Sequence, residues 1–409
     1  MLNRIWTGFF FVAFAAALGR WLIGGEAGVW QELVAATFDM ARTGFEIALG
    51  LTGVMALWLG IMRVGEKGGA VELLARAFAP LLRRLFPGVP AGHPAEGAIV
   101  MNMAANMLGL DNAATPLGLK AMRDLQTLNP GDDTASDDQI LFLVINTSAV
   151  TIIPVTIFTY RAQLGAADPT DIFLPILIAT FCSTMVGLAV TAAVQRLRLW
   201  QPVVLAYLGG MTAVVAGLVA YFANLPREAM EQQSALLANL LIFGIVMTFF
   251  ALAVRRRVNL YEAFVDGAKD GFTTAVGIIP YLVAMLVAIG VLRASGALDL
   301  LLDGVRGAVS LTGADARWVD ALPTALMKPL SGSGARGMLI ETMQAHGADS
   351  FAGRLASVVQ GSTETTFYVL AVYFGAVKIR HTRHAAACGL AADAAGVVAA
   401  ILVSYLFFG

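Results

Sequence analysis

At 409 residues, with 58% hydrophobic and 13% charged side chains, a formal net charge of −1 and a mean hydropathy of +0.74, the chain holds about half the charge of an ordinary soluble protein. With no basic run interleaved with aromatics, this balance gives no footprint for nucleic acid. The two cysteines, Cys182 and Cys388, sit in apolar runs and read as buried free thiols. What remains is an all-α integral membrane protein, because in lipid each spanning segment must satisfy its own backbone.

From the N-terminus, 5–24 is the first apolar run. Arg4 and the Ala13-Phe14-Ala15 stretch give it some look of a signal peptide. It falls opposite 235–251 at the repeat offset given below, so it is read as a retained first helix. Spans follow at 44–62, 139–160, 171–194, 202–222, 235–254, 271–292, 351–376 and 385–408, about nine full crossings in all. Two mixed intervals, 63–138 and 293–350, each open on an amphipathic stretch (71–86; 298–311) and continue as short pieces broken by Gly and Pro. Each interval is read as an interfacial helix followed by a broken helix or re-entrant hairpin.

Residues 44–80 reappear without a gap at 271–307, a constant offset of 227. The chain thus divides into a first repeat (1–195), a linker with a connecting transmembrane helix (196–233) and a second repeat (234–409). With the N-terminus in the cytoplasm, Arg196, Arg198, Arg255, Arg256, Arg257, Lys378, Arg380 and Arg383 all fall in cytoplasmic loops. The loops at 25–43, 161–170 and 223–234 then face outward with one Arg each. An even number of crossings per repeat plus one unpaired connecting helix delivers the second repeat upside down, the inverted topology of carriers.

Polar residues at bilayer depth point to function. Asn146, Thr147, Ser148 and Thr151 interrupt one span, and Gln360, Ser362, Thr363, Glu364, Thr365 and Thr366 interrupt its counterpart, aligned so that Tyr160 meets Phe374. Singly, such residues are interhelical glue or bond back to their own helix; together, at matching places, they suggest a solute or ion pathway. Glu364 could carry a coupling proton, ligate Na⁺ or grip a donor on the solute, or it could form a permanent ion pair with Arg336, Lys328 or Lys120.

The interrupted hairpins supply the second constellation. Asn102, Asn106, Asp111, Asn112 and Thr115 flank one break; Ser331, Ser333 and Arg336 flank the other, aligned so that Met122 meets Met343. Half-helix N-termini there would present free N–H groups and partial positive charge to a carboxylate, phosphate or carbonyl. His93, His346, His381 and His384 lack metal-ligand spacing. No phosphate loop, nucleophile elbow or HExxH occurs, and Ser331 and Ser333 have no base at a recognisable spacing, so no enzyme is expected.

At these motifs the chain resembles a fusion of the spore maturation proteins A and B, bacterial membrane proteins grouped under the nucleoside recognition (Gate) domain. The A-type pattern runs from Asn106 through Asp111-Asn112 and Thr115-Pro116 to Lys120; the B-type patterns are Pro329 to Gly337, Asp349 to Arg354 and Gln360 to Phe374. The resemblance covers nearly all the chain except 202–222, and implies a multi-pass protein of the bacterial inner membrane. More distantly, it is similar to concentrative nucleoside carriers, whose Gln-Thr-Glu pattern Gly361-Ser362-Thr363-Glu364 matches in part, and to the membrane part of ferrous iron transporter B, whose soft ligands are missing here. The expectation is a carrier for a small polar solute, nucleoside-like or an organic anion, working by alternating access with H⁺ or Na⁺ coupling and no cofactor. The bilayer is its medium, and its exterior is compatible with a homo-oligomer. The alternative is a non-transporting sensor or scaffold in envelope or spore maturation.

Overall fold

The computed structural model describes residues 2–409, and the side chains of Leu2, Asp111, Asn112 and Ala113 lie outside the described set. The first unit runs α1 (Leu2–Gly24), α2 (Val29–Gly68), α3 (Ala70–Leu85), α4 (Pro94–Met107), α5 (Asp111–Gln126), α6 (Asp137–Thr147), α7 (Val155–Gln163) and α8 (Phe173–Gln195). After α9 (Pro202–Ala223) the same order returns: α10 (Arg227–Arg255), α11 (Leu260–Ala294), α12 (Ala297–Ser310), α13 (Leu322–Met327, entered from a 3₁₀ turn), α14 (Gly332–His346), α15 (Phe351–Ser362), α16 (Thr366–Ala376) and α17 (Ala385–Phe408). The chain is all-helical, with no strand among the described residues. Seven of those helices, α1, α2, α8, α9, α10, α11 and α17, are long and apolar enough to cross a membrane.

The two other expected spans are not continuous. The stretch 139–160 is split into α6 and α7 by non-helical backbone at 148–154, where Pro154 has no N–H to continue a helix. The stretch 351–376 is split into α15 and α16, with Thr363 extended at φ −149° and ψ 172°. The four pieces, of 9 to 12 residues, are each about 14–18 Å long, about half of a hydrocarbon core. Conversely, α2 outruns its apolar stretch. Arg63 and Lys67 near its C-terminal end pair with Asp270 at 2.5 Å and Asp266 at 3.1 Å on α11.

Counterpart helices pack on each other antiparallel. Along α2 and α11, Gly44 lies against Val283, Ala56 against Gly271 and Leu59 against Gly267. Along α8 and α17, Ser183 lies against Gly396 and Gly187 against Ala392. Other helices also reach across the units: α1 packs on α11 and α10 on α2, while α6 packs on α17 and α15 on α8. Loops tie the units at both ends. At one, the fully buried Arg161 reaches Asp171 at 2.8 Å and Asp349 at 3.1 Å, with Arg354 on Asp171 at 2.7 Å. At the other, Arg380 and His381 donate backbone N–H to Asp133 O, and Arg383 pairs with Asp137 at 2.8 Å.

The equivalence is not complete, and it fails most clearly around α2 and α11. The α2 helix packs on α7, with Trp58 and Phe158 rings 6.1 Å apart, and α11 packs on α14, with Gly337 against Met285 and Ile289. Among the described residues, the counterpart pairings of α11 with α16 and of α2 with α5 are not comparably packed.

Candidate functional site

The breaks in α6/α7 and α15/α16 meet at the centre of the bundle. Glu364 N–H donates to Thr147 O at 2.7 Å, the Thr147 and Thr366 hydroxyls lie 2.6 Å apart, and Thr366 Oγ1 donates to Asp393 Oδ2 on α17 at 2.7 Å. Each break is also bonded to the hairpin tip of its own unit: Ile152 N–H to Met107 O at 2.8 Å, and Phe367 N–H to Pro329 O at 3.1 Å. These bonds answer backbone groups that broken helices leave open. Gly109, at φ +71°, turns the first hairpin where a Cβ would stand 2.6 Å from Ile153 O, a conformation and clearance suited to glycine.

The expected site residues fall into three groups. Asn102, Asn106 and Asn146 form an amide chain: Asn106 Nδ2 donates to Asn146 Oδ1 at 2.6 Å and to Asn102 Oδ1 at 3.5 Å, Asn102 Nδ2 to Ala114 O at 2.8 Å, and Asn146 Nδ2 to Phe142 O at 2.8 Å. Ser148 and Ser362 direct their hydroxyls to the carbonyls of Val144 and Val359, both at 2.8 Å, and Ser331 caps α14 through Gly334 N–H at 3.0 Å with Ser333 beside it. The amide chain joins α4 to α6, and the serines bond back within or cap their own helices. Gln360, Thr363, Arg336 and the half-buried Thr115 remain available to a ligand. Asp111 and Asn112 begin α5, and their side chains lie outside the described residues. Glu364 differs from its expected setting: the break turns it to an exposed position instead of the buried mid-span site assumed for a continuous helix. Lys120, one expected partner, pairs instead with Asp124 at 2.7 Å.

Beside this crossing lies a cavity of about 200 Å³ between the units. Its walls are α2, α7 and the tip Gly109–Leu110 from the first unit, and α11 and Arg336 from the second. At one end Arg63 is shared between Glu66 at 2.8 Å and Asp270 at 2.5 Å, leaving an excess of acid. At the other, Arg336 donates to Gly332 O at 3.1 Å, and no ion pair to a carboxylate is found for it among the described residues. A Cβ on Gly332 would meet Thr365 Oγ1 at 3.0 Å and the Arg336 guanidinium at 3.6 Å, so this cation stands between the cavity and the α15/α16 break. Among the described residues the cavity is therefore dipolar, with the Arg336 guanidinium at one end and the Glu66 and Asp270 carboxylates at the other.

Arg63, Glu66, Asp270 and Asp393 are not among the residues that the sequence marks as a site. The first three look like ordinary interfacial charge until α2 and α11 are paired. Asp393 carried a usable signal, as the sole charged residue of 385–408.

Fold and centre together define a multi-pass helical membrane protein of two like units with broken helices meeting at a polar core. The chain belongs to the Gate family, described as nucleoside recognition, whose model matches residues 48–164 and 275–380, one stretch in each unit. It is 48% identical over 174 residues to spore maturation protein B of Bacillus subtilis (strain 168), covering 42% of this chain and 91% of that protein. It is 38% identical over 183 residues to spore maturation protein A of the same strain, covering 45% of this chain and 90% of that protein. Each relative thus corresponds to about half of the chain. No solved structure matches it.

Proposed function

We propose that the chain is an alternating-access carrier for a small polar solute, nucleoside-like or an organic anion. It would sit in the bacterial cytoplasmic membrane with its N-terminus inside and act without enzymatic chemistry. The observation that carries this reading is Arg336, a guanidinium with no carboxylate partner among the described residues, in a cavity bounded by both units. Such a group suits a carboxylate, phosphate or carbonyl on the solute, while the Glu66 and Asp270 end suits its donors. The antiparallel counterpart helices support alternation, since units of opposite sense can expose one site to either side. The unequal packing of α2 and α11 supports it further, because it is how one of two exchangeable states would look. The family's description as nucleoside recognition agrees with a solute rich in carbonyl and hydroxyl groups.

The test is flux. Purified protein in liposomes should accumulate a labelled nucleoside or dicarboxylate under a Na⁺ or H⁺ gradient. Arg336→Gln removes a charge-assisted bond of about 1.5–3 kcal/mol, so the solute KM should rise about tenfold or more. Gradient-driven uptake at wild-type KM in that variant would remove Arg336 from the site. The relatives' names motivate the second reading, a membrane sensor or scaffold in spore or envelope maturation. It predicts no flux and a co-purifying partner.

A further inference from the structure

A second buried polar centre lies on α17, bonded to the α15/α16 break through Thr366. Asp393 is 3% exposed, its Oδ2 accepts from Thr366, and its Oδ1 has no hydrogen-bond partner. Thr363, 3% exposed, sets its hydroxyl toward this carboxylate without reaching full hydrogen-bond geometry, and no other group bonds it. Helix α15 brings it there: a Cβ on Gly396, one turn past Asp393, would stand 2.7 Å from Thr363 Cγ2 and 3.2 Å from Ser362 O. One turn earlier on α15, Gln360 buries its Oε1 without a partner at 7% exposure. Buried oxygens left without a donor are costly, and a buried carboxylate more so, so a cluster of them calls for a positive occupant.

We propose that Asp393 Oδ1 and Thr363 Oγ1, with the Ser362 carbonyl on the same side, hold a dehydrated Na⁺ ion between α15 and α17. All the donors are hard oxygens. A single carboxylate suits a monovalent rather than a divalent ion, and Lys328, buried at the end of α13, lies within electrostatic reach of Asp393. Glu364, the other charged group in reach, sits on the exposed side of the break. Occupancy is transmitted through the Thr366 and Thr147 hydroxyls to the break in the first unit, fixing the crossing on which the solute cavity is built. Service as the coupling ion rests on the carrier reading; the site itself does not.

The full chain is purified in detergent, melted across a NaCl series at constant ionic strength with choline as the replacement ion, and assayed for saturable binding of radiolabelled Na⁺. The expected result is a Tm that climbs by a constant increment for each tenfold rise in Na⁺ above the Kd, with no rise in K⁺. Asp393→Asn keeps shape and volume and should lose both the Na⁺-dependent Tm and the saturable binding. Thr363→Val should weaken them, and Thr363→Ser should retain them. A wild-type protein indifferent to Na⁺, or a response that survives Asp393→Asn, overturns the site. A Tm that follows pH but not Na⁺ overturns it too, giving Asp393 a proton instead. Solute flux without Na⁺ binding removes the ion site alone, and Na⁺ binding lost in Asp393→Asn without any solute flux removes the carrier reading alone.

Discussion

Asn102, Asn106 and Asn146 illustrate how a polar residue at bilayer depth can serve structure first. Their amides are almost entirely directed at one another and at carbonyls, which ties hairpin helix α4 to the half-span α6. Asn146→Ala would leave Asn106 Nδ2 only its 3.5 Å contact with Asn102, at a cost of about 1–3 kcal/mol. The expected outcome is a lowered Tm with an unchanged solute KM; a raised KM at constant Tm would place the amides in the solute site instead. The sequence could announce that these asparagines were special but could not say toward what, because satisfaction of a side chain depends on a partner 40 residues away. Asp393 is the reverse case. It stood in plain view in an apolar run, and attention to paired clusters passed over it because it has no counterpart in the first unit.

Among elements, the hairpins and the amphipathic stretches were legible because Gly, Pro and charge punctuate them locally. The α6/α7 break was harder to place. Residues 149–154 are mostly apolar, and Val150, Ile152 and Ile153 among them are β-branched, so hydropathy continues through backbone that is not helical. The length of α2 was hidden for another reason: charges beyond its apolar core are tolerated because α11 supplies their partners. The α2–α11 contact itself depends on small residues. A Cβ at Gly271 would stand 2.6 Å from Ala56 Cα and 2.7 Å from Met55 O, so Gly271→Val must part the helices, at about 1–3 kcal/mol. Gly277→Val, on the same helix with nothing within 4 Å, should melt close to wild type. Equal Tm values for the two variants would mean that α2 and α11 do not pack in this way in the membrane.

For the whole molecule, the broken equivalence can be tested by exchanging the units' roles. Trp58 and Phe158 join α2 to α7; at the repeat offsets of 227 and 214 their counterparts are Met285 and Val372. In a chain with Cys182 and Cys388 replaced, the pair Trp58→Cys and Phe158→Cys should cross-link at rest and halt flux. The pair Met285→Cys and Val372→Cys should cross-link only during turnover. If the second pair never forms a bridge while solute is moving, the two states are not related by exchange of the units. The duplication was visible in the sequence because likeness between two stretches is a linear property, and the family model matches one stretch in each half. The unequal packing was not, since two identical contact sets cannot be told apart until one of them is made. The long offset between partners also bears on how the protein is made. The glycine-lined face of α2 meets α11 only after 227 further residues have been added, a delay of about 10–45 s at ordinary rates of synthesis. During that interval the first half sits in lipid with its main contact surface bare, so biogenesis of this chain depends on whatever shelters that face until the second half arrives.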